Sequence, residues 1–344
     1  MISRADLNPI IERQAVQGSP VLSVYLDVDQ GKTTNLKRGF ETSLKNMLRS
    51  IEAPLDKAQL KNFSADANRV EQFVSVYEPK AKGLTMFCDS SEGLFWTREI
   101  NVLIENNTRW SDAPHFLPLL QLMDEHERYG VTLGDKTHAR VFTVFMGEIE
   151  AHGEVHAQRV AEQLEHVVDR QVWDRLLLAG HVEATGELYH LLSKRVRRRV
   201  AARLNMPIEA GEHEVLEETL RVESDVERQA ELDLVEELIA DKGDQHITLG
   251  LERTLRALAE VTIWRLVYSS GFKISGGRCP NCAMLFPRTD GPCDYCSTAI
   301  KPVEDFVEQM VKQVLDGDGQ IEEVAGPAAA ALQKVGGIGA VLRF

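Results

Sequence analysis

No apolar run in this 344-residue chain reaches the length of about 18 residues needed to cross a bilayer. The opening residues, Met1-Ile2-Ser3-Arg4-Ala5-Asp6, are followed by no apolar leader stretch. A soluble cytoplasmic protein is the expectation. Internal repeats and low-complexity tracts are also missing. No Walker-type phosphate loop, dinucleotide fingerprint or metalloprotease helix occurs, which excludes the chemistries those motifs carry. Cysteine is scarce, with five residues, and four of them fall inside 18 positions. In a reducing compartment such clustering favours a metal over disulfides. Cys88 stands alone in the apolar run Leu84 to Cys88 and reads as a small buried hydrophobe.

What is present is enough apolar material, 43%, to build several cores, in a length that suits two or three domains. The formal net charge of −14 argues against a nucleic-acid partner, but it is unevenly spread. From Glu209 to Asp244 there are 14 acidic residues against Arg221, Arg228 and Lys242, which leaves that segment at −11 and the rest of the chain at −3. Basic residues are bunched too: Lys194, Arg195, Arg197, Arg198, Arg199 and Arg203 lie within ten positions. Nucleic-acid binding follows the local field and not the average.

Three parts are expected. In the first, residues 1–125, Val21 to Val28 reads as a strand and Lys37 to Ile51 as a helix with Phe40, Leu44, Met47, Leu48 and Ile51 at helical spacing. Strands follow at Gly83 to Cys88 and Leu94 to Arg98. In the second, residues 126–244, Tyr129 to Asp135 and Ala139 to Phe145 form a hairpin, with a further strand from Glu148. A helix spans Ala157 to Arg175, a buried strand Leu176 to Gly180, and a basic helix Glu187 to Arg203. The acidic stretch Val215 to Ala240 reads as a helix with a solvated acidic face. The third part, residues 245–344, alternates strand and helix after a first helix from Leu249 to Ala259. It is an α/β sandwich, with the cysteine segment, residues 275–300, inserted after its first strand. The fold class is thus α/β throughout, three mixed domains in one chain.

Cys279-Pro-Asn-Cys282 and Cys293-Asp-Tyr-Cys296 are two knuckles ten residues apart, among the turn formers Gly276, Gly277, Gly291 and Pro292. Two such knuckles complete a tetrahedral four-sulfur shell, and four thiolates leave no open position. A structural zinc, Zn(2+), in a zinc ribbon is expected. A dithiol redox pair, the rival, needs only one knuckle, usually at a helix start.

The stretch Leu249 to Glu260, the ribbon with Leu285-Phe-Pro287, and the ending Gly336-Gly-Ile-Gly-Ala-Val-Leu-Arg-Phe344 resemble the C-terminal domain of bacterial homologues of the archaeal and eukaryotic class-one release factors and Pelota. The resemblance is specific there and extends over the rest by domain order. That family includes Balon-like ribosome hibernation factors. Two of its motifs are altered. Where release factors carry Asn-Ile-Lys-Ser, this chain has Asn35-Leu36-Lys37-Arg38, so Lys32, Asn35, Lys37 and Arg38 are implied contacts at the decoding centre. The alternative is that Lys37 and Arg38 are an exposed helix start. Where release factors carry Gly-Gly-Gln, this chain has Ala151-His-Gly-Glu-Val-His-Ala-Gln-Arg159. The resemblance therefore implies a factor that occupies the ribosomal A site, against 16S and 23S rRNA, without releasing peptide. A translational GTPase, such as the elongation factor that delivers tRNA, is the implied partner. The alternative is a peptidyl-tRNA hydrolase or rescue factor with an altered loop. His152, Gly153, His156, Gln158 and Arg159, with Arg195, Arg197, Arg198 and Arg199, are the implied contacts on the peptidyl-transferase side. For the basic helix a solvated face paired with the acidic helix stays open.

Overall fold

The computed structural model describes residues 10, 19–170, 173–240, 246–303 and 305–343, the side chains of residues 157, 158, 167, 169 and 170 excepted. The opening residues and the end of the acidic run, 241–244, lie outside the described residues. The chain divides into two compact units, one of residues 1–118 and 128–217, the other of 119–127 and 218–344. Among the described residues no helix is long and apolar enough to cross a membrane.

The first unit holds two sheets. The first is built from β1 (Val21–Asp27), β2 (Gly83–Asp89), β3 (Leu94–Ile100) and β4 (Asn107–Ser111), in the order β3-β2-β1-β4 and antiparallel throughout. β1 is central, and its run of branched and aromatic residues is buried on both faces. Helices α1 (Gly39–Glu52) and α2 (Lys57–Val76) pack on it through Phe40, Leu44 and Leu48, and through Phe63, Ala67, Val70 and Val74. Spaced at i, i+4 and i+8 on α1 and at i, i+4, i+7 and i+11 on α2, they bring one helical face against a sheet. α2 and β4 were not anticipated. The Asp56 carboxylate starts α2 by accepting from the amides of Ala58 and Gln59, while Gln59 returns a side-chain oxygen to the Asp56 amide.

After α3 (Leu117–Glu125), the second sheet has β5 (Tyr129–Gly134), β6 (His138–Phe145), β7 (Glu148–His156), β8 (Arg175–Gly180) and β9 (Val200–Asn205) in the order β7-β6-β5-β8-β9. β5, β8 and β9 run parallel. Their crossovers are α4 (Ala157–Arg170), then α5 (Val182–Leu191) with α6 (Lys194–Arg197). The single basic helix expected over Glu187–Arg203 is corrected here. α5 stops at Leu191, Ser193 caps α6 by accepting from the Val196 amide, and from Val200 the chain is an edge strand paired to β8.

The second unit holds the sheet β10-β16-β11-β15, from β10 (Ile247–Leu249), β11 (Ile263–Ser269), β15 (Gln320–Val324) and β16 (Ile338–Leu342). Helices α8 (Leu251–Ala259), α9 (Phe306–Asp316) and α10 (Gly326–Gln333) connect its strands, and most of α7 (Glu212–Ala240) belongs to this unit. A small sheet of β12 (Gly276–Arg278), β13 (Leu285–Phe286) and β14 (Lys301–Val303) is inserted after β11, at the place expected for the ribbon. The architecture is mixed α/β, as the sequence indicates.

One expectation fails on α7. Its acidic face is not wholly solvated: Glu223, Glu227 and Glu231 are 3%, 5% and 1% exposed. Spaced four apart, they continue the buried stripe that begins at Val215, Thr219 and Val222 and resumes at Val235 and Leu238.

Candidate functional site

The four clustered cysteines converge. Each knuckle repeats one backbone pattern. The amides of Ala283 and Ser297 donate to the carbonyls of Cys279 and Cys293 at 2.9 Å, and the amides of Cys279 and Cys293 donate to Met284 and Thr298 at 2.9 and 2.8 Å. Ala283 and Ser297 both take positive φ, 61° and 60°, which turns the chain back sharply after each second cysteine. The Sγ atoms of Cys279 and Cys296 are 3.4 Å apart, those of Cys282 and Cys293 3.5 Å, and those of Cys282 and Cys296 3.7 Å. A tetrahedral shell with metal–sulfur bonds of about 2.3 Å has edges of about 3.8 Å, whereas a disulfide is about 2.05 Å. The four thiols fit a metal ion as one set, and the group could hold one. Cys88 is fully buried in the first sheet, where burial pushes its thiol up to about 11, so it is no nucleophile near neutral pH.

The loop after β1 is organised by Asp27 and Asp29. The Asp29 carboxylate accepts from the Gly31 amide at 2.9 Å, and Asp27 takes an ion pair from Lys32. Asn35 is buried, and its amide group donates to Asp27 Oδ1 at 3.1 Å and to the Asp29 carbonyl at 3.2 Å. Arg38 sits at φ 56°, pairs with Glu41, and donates to the carbonyls of Val74, Ser75 and Tyr77 at the end of α2. Of the four residues expected to meet RNA here, Asn35 and Arg38 are thus engaged inside the domain. Lys37 and Lys32 are exposed, Lys32 with its Asp27 partner.

The segment Ala151 to Arg159 is strand and helix and not a loop. β7 is an edge strand that runs to His156 and passes directly into α4. Gly153, at φ 99°, sits where the β6–β7 register shifts, a bulge that a glycine accommodates. His152 is tethered: its Nε2 lies 2.6 Å from the Thr143 hydroxyl, which accepts the Trp173 indole N–H at 2.8 Å, and its Nδ1 lies 3.9 Å from Glu150. Trp173 is fully buried and lies across Gly130, where a Cβ would stand 2.3 Å from its ring. His156 is exposed and stacks edge-on with His138, its cross-strand partner, at 5.8 Å. Arg159 is exposed in the first turn of α4 beside Gln158, whose side chain lies outside the described residues. His152 and His156 are therefore not brought together on one reacting centre.

The basic segment is divided in the same way. Arg195 donates to the Glu165 carbonyl and carboxylate, each at 2.9 Å, and the hydrogen bond from Ser193, followed by that from Arg195, holds the Glu165 carboxyl below its ordinary value. Arg197 caps the end of α5 through the carbonyls of His190 and Leu192 at 3.0 and 2.9 Å. Arg199 donates to the Trp173 carbonyl. Arg198 is exposed. Thr143, Trp173 and Tyr189, which hold these groups, carry no motif. Their roles arise only from packing.

The model of the bacterial archaeo-eukaryotic release factor family 10 matches residues 114–156 and 150–224. No curated relative matches the sequence. Among solved structures, S. cerevisiae Dom34, described as a translation termination-like factor interacting with Hbs1, is similar at 8% identity, with a TM-score of 0.45, over 76% of this chain and 80% of its own. An archaeal Pelota, solved as ribosome-bound Pelota and ABCE1, is similar at 12% identity over 99% and 94%, with a TM-score of 0.43. The archaeal translation termination factor aRF1 is similar at 16% identity over 100% and 99%, with a TM-score of 0.27. Identities and TM-scores this low carry no argument about function. Residues 114–224 of the chain are thus similar to a family of bacterial archaeo-eukaryotic release factors.

Proposed function

We propose that this protein enters the ribosomal A site and holds it without hydrolysing peptidyl-tRNA, as a Balon-like hibernation factor of the cytoplasm. One observation carries the reading. The family match covers residues 114–224, and the segment in it where peptide release would need a Gly-Gly-Gln loop is an edge strand running into a helix. Ester hydrolysis requires a water held against the carbonyl carbon and donors for the developing oxyanion. A strand pinned in a sheet by its own hydrogen bonds does not extend to an ester outside it. The part up to about residue 125 would face the decoding centre and 16S rRNA through Lys32 and Lys37. The middle part would face the peptidyl-transferase side and 23S rRNA. The part from about residue 245 would meet a translational GTPase, such as the elongation factor that delivers tRNA. The four thiolates would hold one structural zinc, which supplies folding energy and no reaction chemistry.

The test is to add the protein in excess to ribosomes carrying peptidyl-tRNA. No peptide should be freed above background, and aminoacyl-tRNA entry should fall. The second reading, a hydrolase, draws on His152, oriented by Thr143 and lying near Glu150. Rapid release that disappears in His152→Ala would establish that reading and sink hibernation.

A further inference from the structure

The segment from Gly186 to Asn205 carries Lys194, Arg195, Arg197, Arg198, Arg199 and Arg203 against the single acid Glu187, in a chain of net charge −14. The structure sorts these cations. Arg195 has a carboxylate partner, and Arg199 closes on a carbonyl of the domain interior. Lys194, Arg198 and Arg203 are exposed and, like Arg197, have no carboxylate partner among the described residues. Arg203 is nevertheless held in place. Its guanidinium lies over the Tyr189 ring at 5.8 Å, and Arg197 lies over the same ring at 5.1 Å. Gly186, one turn before Tyr189, lies alongside it: a Cβ there would stand in ordinary contact, 3.7 Å from Arg203 Nη1. An arginine placed in advance loses less freedom when it meets a ligand. Guanidinium groups suit phosphate oxygens, because their fork of donors matches that geometry. Arg203 also stands on β9, the outer strand of the sheet, where nothing in the sheet covers it.

We infer that the exposed cations of this segment, Lys194, Arg198 and the Tyr189-held Arg203, bind the phosphate backbone of RNA, and that Arg197 and Arg199 act as their scaffold. The inference deepens the ribosome-binding reading and rests on it for which RNA is bound, but not for the binding itself. Arg198→Glu with Arg203→Glu, measured by anisotropy on a short fluorescein-labelled RNA hairpin, should weaken binding at least tenfold. It should also reduce the slope of log K against log salt by about 2, one for each phosphate that the variant no longer neutralises. Circular dichroism should show the variant folded. Lys57→Glu with Lys61→Glu, an equal charge change on the exposed side of α2, should leave hairpin binding within about twofold. Hairpin binding unaltered in the Arg198/Arg203 variant, or lowered equally by the Lys57/Lys61 pair, overturns the inference. Equal affinity for poly-glutamate also overturns it and assigns the face to an acidic protein. The ribosomal reading is scored separately, by co-sedimentation of the wild type. A wild type that binds the hairpin through these arginines but never pellets with ribosomes defeats that reading alone.

Discussion

Arg38 shows how a single residue can be assigned to the wrong partner by its chemistry alone. As the fourth residue of Asn35-Leu36-Lys37-Arg38 it has the charge and place of a decoding contact. Its guanidinium instead reaches the Val74, Ser75 and Tyr77 carbonyls at 2.8, 3.1 and 3.0 Å. Those are carbonyls of the last turn of α2 and of Tyr77 just past it, where the helix dipole presents its negative end. Arg38→Ala is expected to cost about 1–2 kcal/mol, since hydrogen bonds from a charged donor are lost from a half-exposed site. Thermal unfolding followed by near-UV circular dichroism measures it. Lys37 is exposed, so Lys37→Glu should leave stability within about 0.5 kcal/mol while weakening ribosome co-sedimentation. An Arg38→Ala protein that melts like the wild type would make Arg38 a candidate for RNA binding again. The spacing of the motif was legible in the sequence. The position of Val74, 36 residues on, was not.

At the scale of the element, α7 holds the feature least expected from sequence. Glu223, Glu227 and Glu231 are buried on it, among Asp124 and Glu125 at the end of α3, Glu127 just after it, and Glu322 and Glu323 on β15. Several groups offset them. Arg228 pairs with Glu125 and Glu231, His126 faces Glu223 at 3.4 Å, Arg265 reaches Glu322 at 3.6 Å, and the Ala325 amide donates to Glu231 at 3.1 Å. Burial pushes Glu227 up to about 9 and Glu231 up to about 7, and it raises Glu223, Asp124 and Glu323 as well. In the unfolded chain these carboxyls titrate near about 4.3. Between the two values the folded state holds protons that the unfolded state has released, so stability falls as pH rises. The contribution is complete below about pH 4.3 and is lost as pH passes through about 7 for Glu231 and about 9 for Glu227. The melting temperature should therefore drop from pH 6 to pH 9.5, and Glu227→Gln should flatten that drop and raise stability most at the alkaline end. A Glu227→Gln curve parallel to that of the wild type would mean that Glu227 is ionised and solvated in the folded protein. The same glutamates read in sequence as a solvated face because glutamate is rarely buried, and only the elements packed against α7 reverse that expectation.

For the whole molecule, the ribbon is the part least able to stand alone. Its buried cluster is Cys279, Phe286, Cys293 and Ile300, with Cys282, Met284 and Cys296 packed against it. The four sulfurs are thus most of their own core, and without an ion they leave little to hold β12, β13 and β14 together. Metal analysis should find about one zinc per chain. Chelation under reducing conditions should open the second unit to protease around residues 275–300. Three of the four tryptophans, Trp96, Trp110 and Trp173, lie in the first unit, and only Trp264 in the second. Chelation should therefore leave most of the tryptophan fluorescence unchanged. Cys279→Ser should lower soluble yield more than Cys88→Ser, since Cys88 fills space in the first sheet, away from the four-cysteine cluster. Metal-free protein with two disulfides, or cleavage spread evenly over both units, would refute the metal-centred ribbon.

The knuckle spacing of Cys279, Cys282, Cys293 and Cys296 was decisive in the sequence because both pairs are local, with ligands three residues apart on one turn. Strands β1, β2, β5, β6 and β8, and the strand–helix alternation of the third part, were legible for the same reason. Their patterns repeat within a few residues. α2 escaped notice although its capping pair, Asp56 and Gln59, stands in plain sequence. What only the tertiary structure decided is which polar groups remain available. Asn35 is buried by Asp27 and Asp29, Arg199 is drawn to Trp173 26 residues away, and Glu231 meets the Ala325 amide 94 residues away. Sequence specifies the charge and hydrogen-bonding capacity of a side chain. Whether that capacity is satisfied inside the fold or left for a partner depends on residues distant in the chain, and folding alone brings them together.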